Sequence, residues 1–363
     1  MRQRRRCFHV LVVVMCVLSF LAAVPQARAT EAWEGKPGGS LTMLYADDRE
    51  VQTYVAPPTQ ATELRAQAAT ITVAYEGFPP AAQASFQYAV QIWQSLLVAP
   101  LPIRVQAVWT ELPTGVLGGA RPEGFYVNTI TKISYPVALA KQLMNRDPSP
   151  GEADIMAAFN SSGVTWYYGT GQTPPGQFNF TTVALHELGH GLGFTDSFGV
   201  TSGLGGWGSG GVPLIFDRFV VDASNTSLLT AARYPNPSIA LTTGLQSDQL
   251  FFNGPKARAA NAGKSARLYA PNPFEEGSSV SHLDEEVYPP GDPNSLMTPV
   301  GARGETNYNP GPITLGIFAD HAGHLRRSGL GHRRRRPAAA RPAAVRVPAA
   351  LRPPAGRCQP LLQ

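Results

Sequence analysis

The residues with the clearest chemical potential lie in one short stretch, Thr182 to Phe194, which contains the pattern H-E-x-x-H. The stretch predicts a helix. On a helix, positions i and i+4 share one face about 6 Å apart along the axis, so His186 and His190 can direct imidazole nitrogens at one metal ion. Glu187 lies about 100° further round, where it can act on a water at the metal. The pattern predicts a zinc site with Glu187 as its general base.

The same stretch carries signals for a core face and for helix ends. Leucines recur at i, i+3 and i+7 and predict an apolar stripe, formed by Leu185, Leu188 and Leu192. Residues that can cap the start, and glycines able to take positive φ at the end, are Asn179, Thr181, Thr182, Gly191 and Gly193. The alternative is a buried helix with two ordinary core histidines and a chance glutamate. The chain has only seven histidines, which makes such a chance match uncommon.

A catalytic zinc usually has three protein ligands and a water, so a third ligand is required. Asp196 stands where the extended pattern H-E-x-x-H-x-x-G-x-x-H would place its last ligand, and a carboxylate is an acceptable zinc ligand. His282, far downstream in the segment 278–285, is the other candidate. The residues by themselves leave both open.

The order of several motifs resembles a known family. The sequence H-E-x-x-H-G-L-G-F is followed by a long insertion, by S-H at 281–282, by L-M-T-P at 296–299 and by T-L-x-I-F-x-D at 314–320. This order resembles leishmanolysin and its bacterial relatives, which are metzincin zinc peptidases. The resemblance covers roughly residues 70–320 and is most specific at 182–194 and 278–320.

The resemblance implies a fold and a complete ligand set. The expected fold is α+β, with a mixed sheet and the active-site helix in an upper half. A mostly irregular or helical lower half should follow the insertion. In the family the third histidine lies after the insertion, which implies that His282 joins His186 and His190. Met297 would pack beneath the metal, although a single methionine is more often an ordinary core residue.

The function that follows is that of a secreted zinc-dependent endopeptidase. Zn²⁺ is the expected cofactor and proteins or peptides are the expected substrates, hydrolysed by a zinc-bound water with Glu187 as general base. The alternative is an exported, non-catalytic adhesion or binding protein on a peptidase-like fold. A structural zinc site normally has four protein ligands, whereas three are expected here, which favours the enzyme.

The start of the chain predicts export. Residues 1–29 contain an Arg-rich start, an apolar run from 8 to 24 and an A-x-A site at 27–29, the layout of a secretory signal peptide. A membrane anchor is the alternative, but the run is shorter than the usual ~20 residues, so no stable membrane span is expected. Residues 30–68 show little periodicity and predict an N-terminal extension or propeptide. They contain no cysteine for a thiol-to-zinc latch.

The expected metallopeptidase domain spans residues 69–320, with an insertion at about 197–277. Its sequence predicts strands at 70–75, 103–109, 154–160 and 216–222 and helices at 81–98 and 137–144. The strand at 154–160 is a candidate cleft edge for an extended peptide, and an interior strand is the alternative. Asp217, Asp222 and Asp248 are candidate calcium ligands, but solvated or salt-bridged carboxylates are favoured.

The basic character of the chain belongs to its ends. The net charge is +5, yet residues 1–29 and 321–363 hold fifteen arginines and no acids, so residues 30–320 carry −10. This excludes a nucleic-acid role for the body. Residues 321–363 predict a disordered Arg/Ala/Pro tail, interpreted as either a basic arm for anionic surfaces or a shifted reading frame. Its histidines are expected to be non-ligands: His321, His324 and His332.

Overall fold

The structure is a computed structural model that describes residues 33–59 and 68–327. The predicted signal peptide, residues 30–32 and 60–67 of the predicted extension, and residues 328–363 lie outside this part. The described helices are α1 (Pro80–Leu96), α2 (Val137–Met144), α3 (Phe180–Leu192), α4 (Ile239–Leu245), α5 (Pro255–Ala260) and α6 (Gly311–Arg327). None of these described helices is both long and apolar enough to cross a bilayer.

The described strands are distributed along the chain, from β1 before the first helix to β16 before the last helix. They are β1 (Trp33–Pro37), β2 (Thr42–Val55), β3 (Ile71–Glu76), β4 (Ile103–Thr110), β5 (Val116–Pro122), β6 (Gly124–Asn128), β7 (Ile133–Pro136), β8 (Ile155–Asn160), β9 (Trp166–Tyr167), β10 (Phe178–Asn179), β11 (Phe198–Thr201), β12 (Leu204–Trp207), β13 (Val220–Asp222), β14 (Leu250–Phe252), β15 (Ala266–Leu268) and β16 (Val300–Asn307).

A six-stranded mixed sheet forms the framework, in the order β16-β2-β5-β8-β4-β3. Strands β3, β4 and β8 are parallel to one another, and β5 is antiparallel to both β8 and β2. Strand β16 pairs parallel with β2. The predicted order of strand, helix and strand is confirmed by β3, α1 and β4. The chain is therefore a mixed α/β fold with several sheets, in agreement with the coarse α+β class.

Helices α1 and α3 pack together on the sheet. Helix α1, predicted at 81–98, buries an apolar face that includes Phe86, Ala89, Val90 and Trp93. The Trp93 indole N–H donates a hydrogen bond to the backbone oxygen of Leu185 at 3.0 Å, which joins the two helices. The leucine stripe of α3 is also buried, so this helix contributes one face to the core.

The segment predicted as an N-terminal extension contains two strands, and β2 is interior to the sheet. The sequence prediction missed β2 because the run Asp47 to Glu50 interrupts its apolar alternation. Pairing on both edges stabilises this strand, while many of its side chains stay exposed. Residues on both sides of the boundary predicted near residue 69 therefore contribute strands to the same sheet.

The strand predicted as a cleft edge is also interior. Strand β8 lies between β4 and β5, so the interior alternative is correct and the edge prediction was wrong. Its nearly continuous apolar sequence from Ile155 to Phe159 is typical of a strand buried on both faces.

The insertion folds into small elements. Strands β11 and β12 form a hairpin, and β13, β14 and β15 form a three-stranded sheet. The strand predicted at 216–222 was only partly correct, because a 3₁₀ turn at Asp217–Phe219 precedes β13. The Asp217 carboxylate explains the turn, since it accepts hydrogen bonds from the backbone N–H groups of Leu214 at 2.7 Å and Ser197 at 3.0 Å.

The last described helix runs beyond the predicted start of the tail. Helix α6 continues to Arg327, so the disorder predicted from residue 321 was wrong for its first residues. His321 is fully buried, and its ring centroid lies 5.9 Å from those of Phe216 and Phe252. This aromatic packing explains why the helix extends through the histidine.

Candidate metal centre

Both ends of α3 are fixed by local hydrogen bonds. Asn179 caps the start, where its Oδ1 accepts a hydrogen bond from the Thr182 N–H at 2.9 Å. The helix ends at Gly193, whose φ of 123° reverses the chain. The Phe194 N–H then donates to the Gly189 oxygen at 3.0 Å. The predictions of Asn179 as a cap and of Gly193 as a positive-φ residue are confirmed.

Gly191 has a different role from the one predicted. It is helical and has no positive φ, so it does not end the helix. A methyl group at Gly191 would lie 2.2 Å from Ile155 Cγ2, far inside van der Waals contact. Glycine is required here because α3 approaches β8 too closely for any side chain.

Three histidine side chains meet at one point in the core. The Nε2 atoms of His186 and His190 are 2.9 Å apart, those of His190 and His282 are 3.1 Å apart, and those of His186 and His282 are 3.3 Å apart. All three residues are 1% exposed or less. Among the described residues, this trio is the one group of three or more His, Cys, Asp or Glu with ligand atoms within 4.8 Å of one another.

Backbone oxygens orient all three rings. The Nδ1 of His186 lies 2.5 Å from the oxygen of Leu296, the Nδ1 of His190 lies 2.7 Å from that of Phe194, and the Nδ1 of His282 lies 2.8 Å from that of Ser278. A carbonyl oxygen only accepts hydrogen bonds, so each Nδ1 carries the proton and each Nε2 presents a lone pair.

Burial keeps these imidazoles neutral. It lowers the pKa of His186 to about 4 and that of His282 to about 3. Burial also lowers the pKa of His190 well below its usual value, with further contributions from the two neighbouring histidines. Metal ligation requires neutral imidazoles, and here each ring directs the lone pair of its Nε2 toward the other two rings.

The spacing of the nitrogens fits a small divalent cation. Tetrahedral zinc with Zn–N bonds of about 2.0–2.1 Å separates its nitrogen ligands by about 3.4 Å. The observed separations of 2.9, 3.1 and 3.3 Å are slightly below that value. Three lone pairs facing one another without a cation would repel, so the donor set fits zinc.

Glu187 follows His186 on α3 and is fully buried. Burial raises its pKa well above the usual value, and the backbone amide of Leu44 partly opposes that shift. Neither carboxylate oxygen has a hydrogen-bond partner of normal geometry among the described residues. A methyl group at Gly118 of β5 would lie only 3.1 Å from Glu187 Oε1. A glycine in β5 therefore makes room for this carboxylate.

Met297 lies directly under α3. It ends a 3₁₀ turn that begins at Ser295, and it is fully buried. A methyl group at Gly189, the residue before His190, would lie 2.7 Å from the Met297 sulfur. The Leu283 N–H donates to the Met297 oxygen at 2.8 Å, which connects this turn to the residue after His282.

Asp196, the alternative third ligand, does not join the trio. Its carboxylate instead accepts a hydrogen bond from the Phe198 N–H at 2.6 Å. Its pKa is raised well above the usual value by burial first and then by Asp217 and Glu276. Asp196 lines a separate cavity of about 390 Å³, which the segment 36–42 also lines. Of the two candidates, the structure brings His282 to the helix histidines.

The three candidate calcium carboxylates are engaged elsewhere. Asp217 accepts the hydrogen bonds of the 3₁₀ turn. Asp222 Oδ2 lies 3.0 Å from Arg233 Nε, and Asp248 Oδ1 lies 3.0 Å from Arg267 Nη2. The favoured interpretation, salt-bridged or solvated carboxylates, agrees with these contacts.

Several contributors to the site were missed by sequence reasoning. The oxygens of Leu296, Phe194 and Ser278 orient the rings, and any residue type supplies a backbone oxygen, so no sequence signal could identify them. Gly118 was missed too. It is the first glycine of a Gly-Gly pair inside a strand, which is a signal for a close approach of another group.

Comparisons with known proteins reach only part of the site. The SPBPB7E8-like family pattern matches residues 118–208, which include β5 and α3 but neither His282 nor Met297. The chain is also similar to "Uncharacterized protein PB7E8.01" of Schizosaccharomyces pombe, with 37% identity over 67 residues. This match covers 18% of the present chain and 12% of the relative's length. No solved structure matches.

Proposed function

We propose that this chain is a secreted zinc-dependent endopeptidase of the metzincin type, similar to leishmanolysin. The observation that carries the proposal is the convergence of three Nε2 atoms at the helix that also carries the buried Glu187, whose carboxylate oxygens have no hydrogen-bond partner of normal geometry among the described residues. A buried carboxylate without a well-formed hydrogen bond is unfavourable for stability. Its place on the helix of two metal-type donors supports a chemical role over a structural one.

His186, His190 and His282 would hold the metal. A zinc ion there would supply a Lewis acid that polarises a peptide carbonyl and lowers the pKa of water. Glu187 takes a proton from the water that attacks the carbonyl carbon. It then passes that proton to the nitrogen of the leaving amine as the C–N bond breaks. Burial raises the pKa of Glu187, which makes its carboxylate a stronger base for the first transfer.

The finer fold assignment belongs to the same proposal. A metzincin-type centre needs a helix that ends shortly after its second histidine and a methionine beneath the metal. Gly193 provides the first feature, and Met297 under Gly189 provides the second. Secretion, and protein or peptide substrates, are proposed together with this assignment.

The ligand set is tested by measuring zinc content and hydrolysis of a denatured protein on the same samples of the full chain. We expect His282→Ala to lose zinc and activity, and Asp196→Ala to keep both. Loss of both only in Asp196→Ala would move the third ligand to that residue. A wild type that holds one zinc yet hydrolyses nothing would favour the exported binding protein.

The role of Glu187 is tested by Glu187→Gln, which keeps the size of the side chain and removes its basicity. We expect it to retain zinc and to lose about 10²–10⁴-fold in kcat, the usual contribution of a general acid–base group. Normal turnover in this variant would refute the mechanism.

A further inference from the structure

The proposed centre is closed to solvent. The exposed fraction is 1% for His186 and 0% for Glu187, His190 and His282. A peptide bond cannot reach these groups while the chain keeps this arrangement. Access of a substrate to the site therefore depends on the element that covers these residues.

Residues 42–45, at the start of β2, cover Glu187. Residues Thr42 to Tyr45 pair antiparallel with β5, and Leu44 lies opposite Gly118. Gly118 is the β5 residue that closely approaches Glu187 Oε1, and the Leu44 amide acts on the same carboxylate. Leu44 is only 3% exposed. The backbone of β2 therefore lies alongside β5 at the position of Glu187, the proposed general base.

The same segment also contacts the chain on the other side of the site. The Met43 N–H donates to the Gly277 oxygen at 3.0 Å, and the Tyr45 N–H donates to the Pro299 oxygen at 3.2 Å. Gly277 lies five residues before His282, and Pro299 lies two residues after Met297. Strand β2 thus fills the space between β5 and the segments that carry the third histidine and the methionine.

We propose that residues 42–45 occupy the position of an extended peptide substrate, so that the chain carries its own removable cover. This inference rests on the proposed peptidase function. Without β2, strand β5 would be an exposed edge, and an extended peptide binds such an edge with backbone hydrogen bonds. A substrate and β2 would therefore compete for the same backbone groups of β5.

The surroundings of Leu44 indicate the side chain that such a substrate presents. Leu44 borders a small space beside His186 whose apolar walls include Leu117 and Leu296 and whose polar walls include Glu305. An aliphatic side chain of similar size suits the apolar walls, and an acidic side chain does not, because Glu305 already borders this space. The substrate class is an extended peptide with a leucine-like residue at this point.

The rest of β2 is held on its other edge by β16, from the pair Tyr45 and Val300 to the pair Val55 and Asn307. Opening the site therefore requires β2 to separate from β16 as well as from β5. From Asp48 to Glu50 the side chains of β2 are exposed, so this part of the strand adds little buried apolar area to its attachment. A cover that is open in about 1% of molecules would lower the apparent rate about a hundredfold while leaving measurable activity.

The test uses the zinc-loaded full chain with a recognition sequence for a specific protease inserted between Ala56 and Pro57, both exposed. After cutting and removal of the N-terminal fragment, we expect zinc loss to a chelator and peptide hydrolysis to rise about tenfold or more. Backbone amides of β5 should exchange hydrogen faster. A synthetic peptide of residues 40–56 should reverse these effects, and the same peptide with Leu44→Asp should not. An equal insertion at exposed Glu152 is the control and should change nothing when cut.

The outcomes separate this inference from the proposed function. Faster zinc loss after cutting, without hydrolysis in any form, would uphold the cover and refute the peptidase. Hydrolysis and zinc loss that are unchanged by removal of the fragment would overturn the cover and leave the peptidase standing. Loss of the far-ultraviolet circular dichroism on removal would also overturn it, because β2 would then be a permanent part of the fold. If the fragment stays bound, Leu44→Asp in the uncut chain should accelerate zinc loss, and an unchanged rate would refute the cover.

Discussion

Gly191→Ala should destabilise the protein, although alanine is the better helix former. Gly191 lies inside α3, where alanine alone would favour the helix by about 1 kcal/mol. The added methyl group, however, would lie 2.2 Å from Cγ2, 3.0 Å from Cγ1 and 3.1 Å from Cβ of Ile155. Ile155 is fully buried and β-branched in a central strand, so it cannot rotate away. The helix must move from the sheet instead.

The expected magnitude follows from these two opposing effects. Overpacking a tight core costs about 1–3 kcal/mol, and an overlap of more than 1 Å with a stiff side chain places this site at the upper end. After subtraction of the helix gain, the free energy of unfolding should fall by about 2 kcal/mol. Gly323→Ala is the matched control. It lies in helix α6 with no atom within 4 Å of the added methyl group, so it should raise stability by up to about 1 kcal/mol.

Urea unfolding of Gly191→Ala, Gly323→Ala, Ile155→Ala and the double variant of Gly191 and Ile155 measures the effect. On the Ile155→Ala background, Gly191→Ala should lose most of its cost because the clashing methyl groups are gone. The zinc content of Gly191→Ala should fall too, since His190 moves with the helix. Equal stabilisation by Gly191→Ala and Gly323→Ala would refute the close approach of α3 to β8.

Three further predictions concern groups around the site. Lys141→Met should lower the free energy of unfolding by about 3–5 kcal/mol in urea, because it leaves Asp154 buried without its partner at 2.6 Å. Burial raises the pKa of Glu305 to about 8. Between about pH 4 and 8 the unfolded chain releases this proton and the folded chain keeps it. Stability should therefore fall as the pH rises, by an amount on the order of 5 kcal/mol that Glu305→Gln removes. Asn179→Ala removes the cap of α3 and should lower stability by about 1 kcal/mol and weaken zinc binding, measured by chelator competition.

Each of these has a control and an outcome that would contradict it. A loss below about 0.5 kcal/mol in Lys141→Met would contradict the buried ion pair. Glu152→Gln, at an exposed carboxylate, should leave the pH dependence of stability unchanged, and an unchanged dependence in Glu305→Gln would reject the assignment. Ser238→Ala removes the cap of α4, where Ser238 accepts from the Leu241 N–H at 3.0 Å. It should lower stability like Asn179→Ala but leave zinc affinity intact.

Local signals explain what the sequence could predict. Helix α2 has the predicted limits, Val137–Met144, and α3 begins at a predicted cap and ends at a predicted glycine. These features depend on neighbouring residues, which a sequence shows directly. His282 lies 92 residues after His190, so only a resemblance to a family could connect the two.

Pairing between distant segments explains what could not be predicted. Strand β2 is stabilised by β5 and β16, about 70 and 250 residues later, while a charged run from Asp47 to Glu50 interrupts its apolar pattern. The Asp217 turn depends on donors from Ser197 and Leu214. A pattern of residue types shows which side chains are apolar. Strand β2 and the Asp217 turn depend instead on backbone and carboxylate hydrogen bonds to remote parts of the chain.

Strand pairing also connects stability with access to the site. Opening the site exposes the edge of β5, and an unpaired strand edge in a sheet is unfavourable and prone to association. An extended peptide repairs that edge with the same backbone hydrogen bonds that Leu44 and its neighbours now make. At the edge of β5, residues 42–45 and an extended peptide would therefore make equivalent backbone hydrogen bonds. On the proposal of a removable cover, we expect exchange of one strand for another, because an open site with an empty edge is the least stable of the three states.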